Sequence, residues 1–388
     1  MNVSHSTYKP GLKPVNRDNS NINFGAGKVK LWFDSDDTYF PHSDQGILSS
    51  ENKKHPVFLK VKQAFESLNN FITRNKEDVE LNVTTGRNRG EYRHYLDMVK
   101  KAGIIWIKPD RLVTKNGGDV FLSSSKLPEK EIVPDWPSAR HIDHSKRDDI
   151  KEITGWDANY IKSSILETLE DWDFPIVYAP SGGSDYGAKS YKNIWDQVKS
   201  RYDNSWVALV RQDGDLNFYI GLPPNHAADK IQHSIVDSIR EKLDSKSIKY
   251  DMTVRDSDWE NSNGPSITIN PLINGKPLDK TYDVRKAIIQ AIKDNDFVIV
   301  AGNGSNDRTM LDPATYTDLC DIDKLPMLSI VVGDNPKLHQ LADQYPDKFL
   351  KVGHFNLLDG VKQAIKKYSD TNPDFRKHLP HAIAEEIY

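Results

Sequence analysis

The sequence predicts an α/β protein: a doubly wound parallel sheet with a separate α+β unit set into the chain. Three observations predict this. Short β-prone runs alternate with stretches of helical periodicity over residues 28–121 and again over 270–370. Strands separated by helices in this way pair in parallel through right-handed crossovers. Three of the runs open into polar turns, at residues 34–38, 84–87 and 302–307, and a doubly wound sheet binds its ligand at the carboxyl ends of its strands. Residues 122–269 break the alternation with a pattern of their own.

In chain order, residues 1–27 are rich in Asn, Ser, Lys, Gly and Pro and are expected to be a flexible leader. The first block then reads as strand 29–33, helix near 56–74, strand 79–84, helix near 90–102 and a strand near 111–114 that runs into Asn116-Gly117. The inserted unit reads as helix 157–171, strands 206–210 and 216–220, helix 227–243, and strands 249–254 and 266–270. Its second helix carries Ile231, Ile235, Ile239 and Leu243 at four-residue steps, one apolar face to lay on a sheet. Antiparallel strands with helices on one side are expected there. The alternation resumes with helix 282–293, strands 297–301 and 328–332, helix 336–343, strand 348–352 and helix 357–367. Residues 371–388 are set apart as a C-terminal tail.

With 388 residues the chain can bury more than one sizeable core. Lys and Arg number 52 against 56 Asp and Glu, and a net charge of −4 argues against a broad basic face for nucleic acid. A single cysteine, Cys320, excludes an internal disulfide and is compatible with a reducing cytoplasm. No apolar run approaches the roughly 20 residues that span a bilayer, and the amino terminus has no signal-peptide core. A cytoplasmic protein with no membrane partner is expected, with a secreted effector led by its polar leader as the alternative. Oligomeric state is left open.

The candidate chemistry sits at the strand ends. Val29–Phe33 delivers Asp34 and Asp36, one residue apart, into a turn where both can converge on one site. Such a pair can divide labour, one carboxylate attacking phosphorus and the other moving protons; a solvated loop end or a calcium site is the plainer reading. Thr85-Gly86-Arg87 ends the next strand with a hydroxyl donor, a glycine that admits close backbone approach, and a cation. Lys280, just ahead of the helix bearing Val284, Ile288 and Ala291, offers a point charge to clustered anions. The run Phe297–Ala301 opens into Gly302-Asn303-Gly304-Ser305-Asn306-Asp307, with oxygen ligands suited to a hard cation.

In order and spacing these four segments resemble the motifs of the haloacid dehalogenase-like phosphohydrolase superfamily. Asp34, Asp36 and Thr38 match its Asp-x-Asp-x-Thr, and Thr85-Gly86-Arg87 its second motif. Lys280 matches the third, and Gly302, Asn306 and Asp307, followed by Met310-Leu311, match the fourth. The resemblance covers residues 28–121 and 270–367. A cap inserted between the second and third motifs, together with Asn116-Gly117 and Gly360-Val361, resembles the branch of Cof-like and sucrose-phosphate phosphatases. Two positions depart from the pattern: Asn303 stands where the superfamily usually has a metal-binding Asp, and Asp37 where glycine is common.

The resemblance implies a Mg²⁺-dependent phosphatase of a small phosphorylated metabolite, most often a sugar phosphate. In it Asp34 is the nucleophile, Asp36 the acid and base, and Thr85 and Lys280 hold the phosphoryl oxygens with Gly86 and Arg87 beside the substrate. Asp34, the Asp36 carbonyl, and Asn303 or Asp307 would bind the metal. A phosphomutase of the same superfamily is one alternative; a binding or regulatory protein with weakened chemistry, motivated by Asn303, is another. Tyr39, Phe40 and His42 are read as leaving-group pocket or hinge packing, and Trp172, Trp195, Trp206 and Trp259 as core or sugar platform. The pair His141 and His144 reads as polar surface rather than metal site, and Pro180–Gly187 as a surface or substrate loop.

Overall fold

The computed structural model describes residues 27–39, 56–87, 92, 98–99, 101–104, 108–122, 148–180, 207–212, 216–223, 226–257 and 264–388. Residues 1–26, most of the helix expected near 90–102, Phe40, His42, His141, His144, the loop 181–187, Trp195, Trp206 and Trp259 lie outside them.

The first block contains strands β1 (Val29–Asp34), β2 (Val79–Thr84), β3 (Arg111–Thr114) and β4 (Asp119–Leu122). The inserted block holds β5 (Ile176–Pro180), β6 (Ala208–Gln212), β7 (Phe218–Gly221), β8 (Tyr250–Arg255), β9 (Ser266–Ile273) and β10 (Lys276–Pro277). The last block adds β11 (Phe297–Gly302), β12 (Met327–Val332) and β13 (Phe349–Val352).

The core is a seven-stranded sheet in the order β13-β12-β11-β1-β2-β3-β4, parallel except for the β3–β4 pair. β1 is central and wholly buried, as are β11 and β12, because helices cover both faces. Val29, Leu31 and Phe33 point into one apolar cluster with the helices Pro56–Arg74 and Leu357–Thr371; Gly360 lies there against Ile330 and Val352. Trp32 points the other way, against Val284, Ile288 and Ala291 of helix Thr281–Asp294 and Leu338 and Leu341 of helix Pro336–Gln344. Strand order reverses between β1 and β11: the chain lays β2–β4 on one side of β1 and returns to lay β11–β13 on the other. A crevice opens at such a switch point.

The inserted block has its own sheet, β10-β9-β7-β6-β5, with β8 also paired to β9. The four strands expected here, β6 to β9, pair antiparallel, and the added strand β5, which the sequence pattern does not predict, runs parallel to β6. The chain between those strands is long enough for the crossover that parallel pairing requires. The helices Ala158–Asp171 and His226–Ser245 bury Ile161, Ile165, Leu169, Ile235, Ile239 and Leu243 against Val210, Phe218, Ile220, Ile267 and Ile269. Trp172 packs at the edge of this cluster, so it belongs to the core of the unit.

The stretch set apart as a tail instead forms two short helices, Pro373–His378 and His381–Ile387. Phe375 and Ile383 are fully buried in the main core. Phe375 meets Phe297 and Tyr368 edge-on, at 5.7 and 5.0 Å between ring centroids. Two fully buried anchors in a stretch of eighteen residues leave almost no periodic signal, which is why the pattern reads as a tail. Among the described residues no helix is long and apolar enough to cross a membrane.

A candidate active site at the switch point

Four chain segments converge at the carboxyl ends of β1, β2 and β11. Asp34 is the last residue of β1, and Gly302 the last of β11. In the β1–β2 register Asp34 lies beside Thr84, so Thr85 begins the turn next to it. The turn after β1 is tight: Ser35 N donates to Thr84 O at 3.0 Å and Tyr39 N to Asp34 O at 3.1 Å. Asp37 takes a left-handed backbone, φ +54°, the conformation that glycine adopts without cost and Asp tolerates. Its presence at a position where glycine is common thus preserves the turn.

Lys280 reaches this place from the inserted block. β9 turns back through Asn274-Gly275, both with positive φ (51° and 75°), into β10. Leu278 then plugs into the apolar cluster of the inserted unit. Asp279 Oδ1 accepts from Thr281 N at 2.8 Å and its Oδ2 from Thr309 Oγ1 at 3.1 Å, which starts the helix one residue after Lys280. Gly117, at φ +109°, lets the β3–β4 turn lie against Asp279: a Cβ there would be 3.0 Å from the Asp279 carbonyl.

The outcome is a buried three-residue bridge. Lys280 Nζ donates to Asp34 Oδ1 at 2.5 Å and to Asp307 Oδ1 at 2.8 Å, and all three side chains are within 6 % of full burial. Asp307 Oδ2 in turn accepts from the backbone N–H groups of Asn303 (3.1 Å) and Gly304 (3.0 Å). Gly302 is required for this closure, because a Cβ at that position would lie 2.7 Å from Asp307 Cβ. Burial above all, and then the charge of Asp307, push the Asp34 carboxyl up from 3.8 to about 7, while Lys280 pulls it down and Asp36 adds to the rise. Burial alone would lower the Lys280 ammonium; the two carboxylates outweigh it and raise its pKa.

The remaining expected residues divide between two surroundings. Thr85 is fully buried, and its Oγ1 accepts from Arg87 N at 3.1 Å, leaving the hydroxyl proton to donate elsewhere. Arg87 Nε lies 2.9 Å from both oxygens of Asp36, a contact with no counterpart in the sequence reading. Asn303 is held by Thr38, whose Oγ1 donates to its side-chain oxygen at 3.3 Å, and by Asn335, whose Nδ2 donates to its carbonyl at 3.2 Å. Asn335 carries no sequence signal, since its partner is a main-chain atom of a remote loop. Tyr39 is buried among Phe33 and Phe65 and donates to Asn69 at 3.2 Å, so it packs rather than lining a pocket.

The oxygens that could hold a hard cation are the second oxygen of Asp34, the side-chain oxygen of Asn303, which also accepts from Thr38, and main-chain carbonyls of the two turns. Asp307 has both oxygens engaged with Lys280 and the loop N–H groups. Among the described residues no group of three His, Cys, Asp or Glu side chains is disposed to hold a metal. Oxygen donors of this kind suit Mg²⁺, which binds through one or two carboxylates and keeps several waters.

No family model matches the chain, and no curated protein matches it. Among solved structures it is similar to the sucrose-phosphatase of Synechocystis sp., solved with sucrose and phosphate, at 13% identity and a TM-score of 0.41, covering 88% of this chain and 98% of that one. It is also similar to a haloacid dehalogenase-like hydrolase from Bacteroides thetaiotaomicron, at 11% identity and a TM-score of 0.41, over 88% and 99% of the two chains. A hypothetical protein from Geobacillus kaustophilus aligns at 15% identity with a TM-score of 0.42, over 87% and 98%.

Proposed function

We propose that this chain is a haloacid dehalogenase-like phosphoric monoester hydrolase that uses Mg²⁺ and acts on a small phosphorylated metabolite, a sugar phosphate. The observation that carries this reading is the buried Asp34–Lys280–Asp307 bridge at the switch point of the sheet. A carboxylate at a strand end, steadied by a lysine that a second carboxylate keeps in place, is a nucleophile aimed into a ligand crevice.

In this reading Asp34 attacks phosphorus and forms an aspartyl-phosphate as the alkoxide departs. Asp36 protonates that alkoxide, then takes a proton from the water that attacks phosphorus, releasing inorganic phosphate and restoring Asp34. The Thr85 hydroxyl and the Lys280 ammonium hold the phosphoryl oxygens. The five charged residues, Asp34, Asp36, Arg87, Lys280 and Asp307, carry one net negative charge when all are ionised, which disfavours an anionic substrate. Asp34, the Asp36 carbonyl and Asn303 would hold Mg²⁺, which would offset that charge.

Phosphate release from a panel of phosphorylated metabolites, with and without Mg²⁺, tests the proposal. Metal-dependent, sustained release that Asp34→Asn abolishes is expected. Release that stalls after one transfer to a second sugar hydroxyl would point to a phosphomutase. No release by a folded protein would overturn the hydrolase assignment.

A further inference from the structure

Arg87 follows the turn Thr85-Gly86 and, as a cation beside a phosphate site, invites the role of a substrate ligand. Its contacts point elsewhere. Nε lies 2.9 Å from Asp36 Oδ1 and 2.9 Å from Oδ2, so the carboxylate is gripped by both oxygens from one side. The two side chains are only 26% and 29% exposed, which weakens solvent screening of the pair. The backbone of Arg87 is itself anchored on both sides. Its N–H donates to Thr85 Oγ1 at 3.1 Å, and its carbonyl accepts from Lys115 N at 3.0 Å in the β3–β4 turn. Asp36 itself stands in the turn after β1, one residue before the left-handed Asp37.

We infer that Arg87 is a positioning residue for Asp36: it fixes the orientation of the carboxylate that moves protons, and does not bind the phosphoryl group. The inference rests on the hydrolase reading above. It reaches further by separating Arg87 from the substrate-binding set and by making proton transfer to the leaving oxygen depend on a group anchored on β2 and β3. A single nitrogen makes both contacts, so an ammonium can reproduce them where a neutral side chain cannot.

The experiment compares Arg87→Met, Arg87→Lys, Asp36→Asn and the double variant Arg87→Met/Asp36→Asn on two substrates. One is p-nitrophenyl phosphate, whose leaving group needs no proton; the other is an alkyl phosphate, whose alkoxide does. For Arg87→Met a fall in kcat of about 10- to 100-fold on the alkyl ester is expected, part of the range general acid–base catalysis supplies. The fall on the nitrophenyl ester should be at least several-fold smaller, with KM nearly unchanged on both. Arg87→Lys should recover most of the loss, and Arg87→Met should cost little more once Asp36 is Asn. A rise in KM with kcat kept, or an equal loss in the Asp36→Asn background, would overturn the inference and return Arg87 to the substrate. Wild-type protein that releases no phosphate from either ester fails the hydrolase reading instead, and is told apart because it needs no variant.

Discussion

Lys280→Met removes the ammonium from the bridge while keeping an unbranched stem, and its effect on stability can be worked from the site. In the wild type Nζ sits 2.5 Å from Asp34 and 2.8 Å from Asp307, with Asp34 4 % and Asp307 0 % exposed. Removing one member of a buried pair leaves an uncompensated buried charge, at a cost of about 3–5 kcal/mol. The cost depends on pH through Asp34. Its carboxyl, raised from 3.8 to about 7, keeps a proton in the folded state that the unfolded chain has released. Its contribution to stability is therefore complete below 3.8 and lost as pH rises through about 7, roughly three units at 1.36 kcal/mol each, on the order of 4 kcal/mol. The raised pKa of Lys280 acts in the same sense, its stability lost as pH rises, but only at the alkaline end above 10.5, so it adds nothing to this slope near neutrality. Without Lys280 the pull that lowers Asp34 is gone, and the loss extends to still higher pH. Urea unfolding of metal-free protein at pH 5 and pH 8 reads the difference. The variant should trail the wild type by about 3 kcal/mol or more at pH 8 and by clearly less at pH 5. Equal stabilities at pH 8, or a larger deficit at pH 5, would refute the buried bridge as described.

Two further outcomes follow from the same geometry. Gly302→Ala puts a methyl group 2.7 Å from Asp307 Cβ, so the loop must shift; a loss of about 1–3 kcal/mol in urea unfolding is expected, with weaker activity because Lys280 loses its second anchor. Asn303→Asp replaces the amide held by the Thr38 hydroxyl with a carboxylate, and isothermal titration should show Mg²⁺ binding tightened by about tenfold or more; unchanged affinity would remove Asn303 from the metal set.

The fold was legible where burial on both faces leaves a continuous apolar run. Phe297–Ala301 and Met327–Val332 can be little else, and their order with the helices dictates a parallel sheet and a crevice at its carboxyl edge. The helix His226–Ser245 was legible from its isoleucine stripe. What escaped were elements that strand pairing or a few buried side chains define rather than a periodic pattern. β4 exists by antiparallel pairing to β3 and by burying Val120 and Phe121, β5 by pairing to a strand further along the chain, and the last two helices by Phe375 and Ile383. The site divides the same way. Asp34, Lys280 and Asp307 carry their chemistry in residue type and strand-end position, although Lys280 and Asp34 are 246 residues apart. The Arg87–Asp36 pair and the Asn335 contact depend on register and main-chain direction, which no local pattern encodes. Asn303 was visible as a departure, but its engagement by Thr38 needed the folded loop.

The central claim is that Asp34 carries the phosphoryl group during turnover. The most direct measurement is an acid quench during steady-state turnover of a small phosphate ester in Mg²⁺, followed by mass spectrometry of the peptide that contains Asp34. The account predicts a fraction of that peptide heavier by one phosphoryl group in the wild type and none in Asp34→Asn. Sustained phosphate release by Asp34→Asn at the wild-type rate, with the label absent from the wild-type peptide, would contradict it.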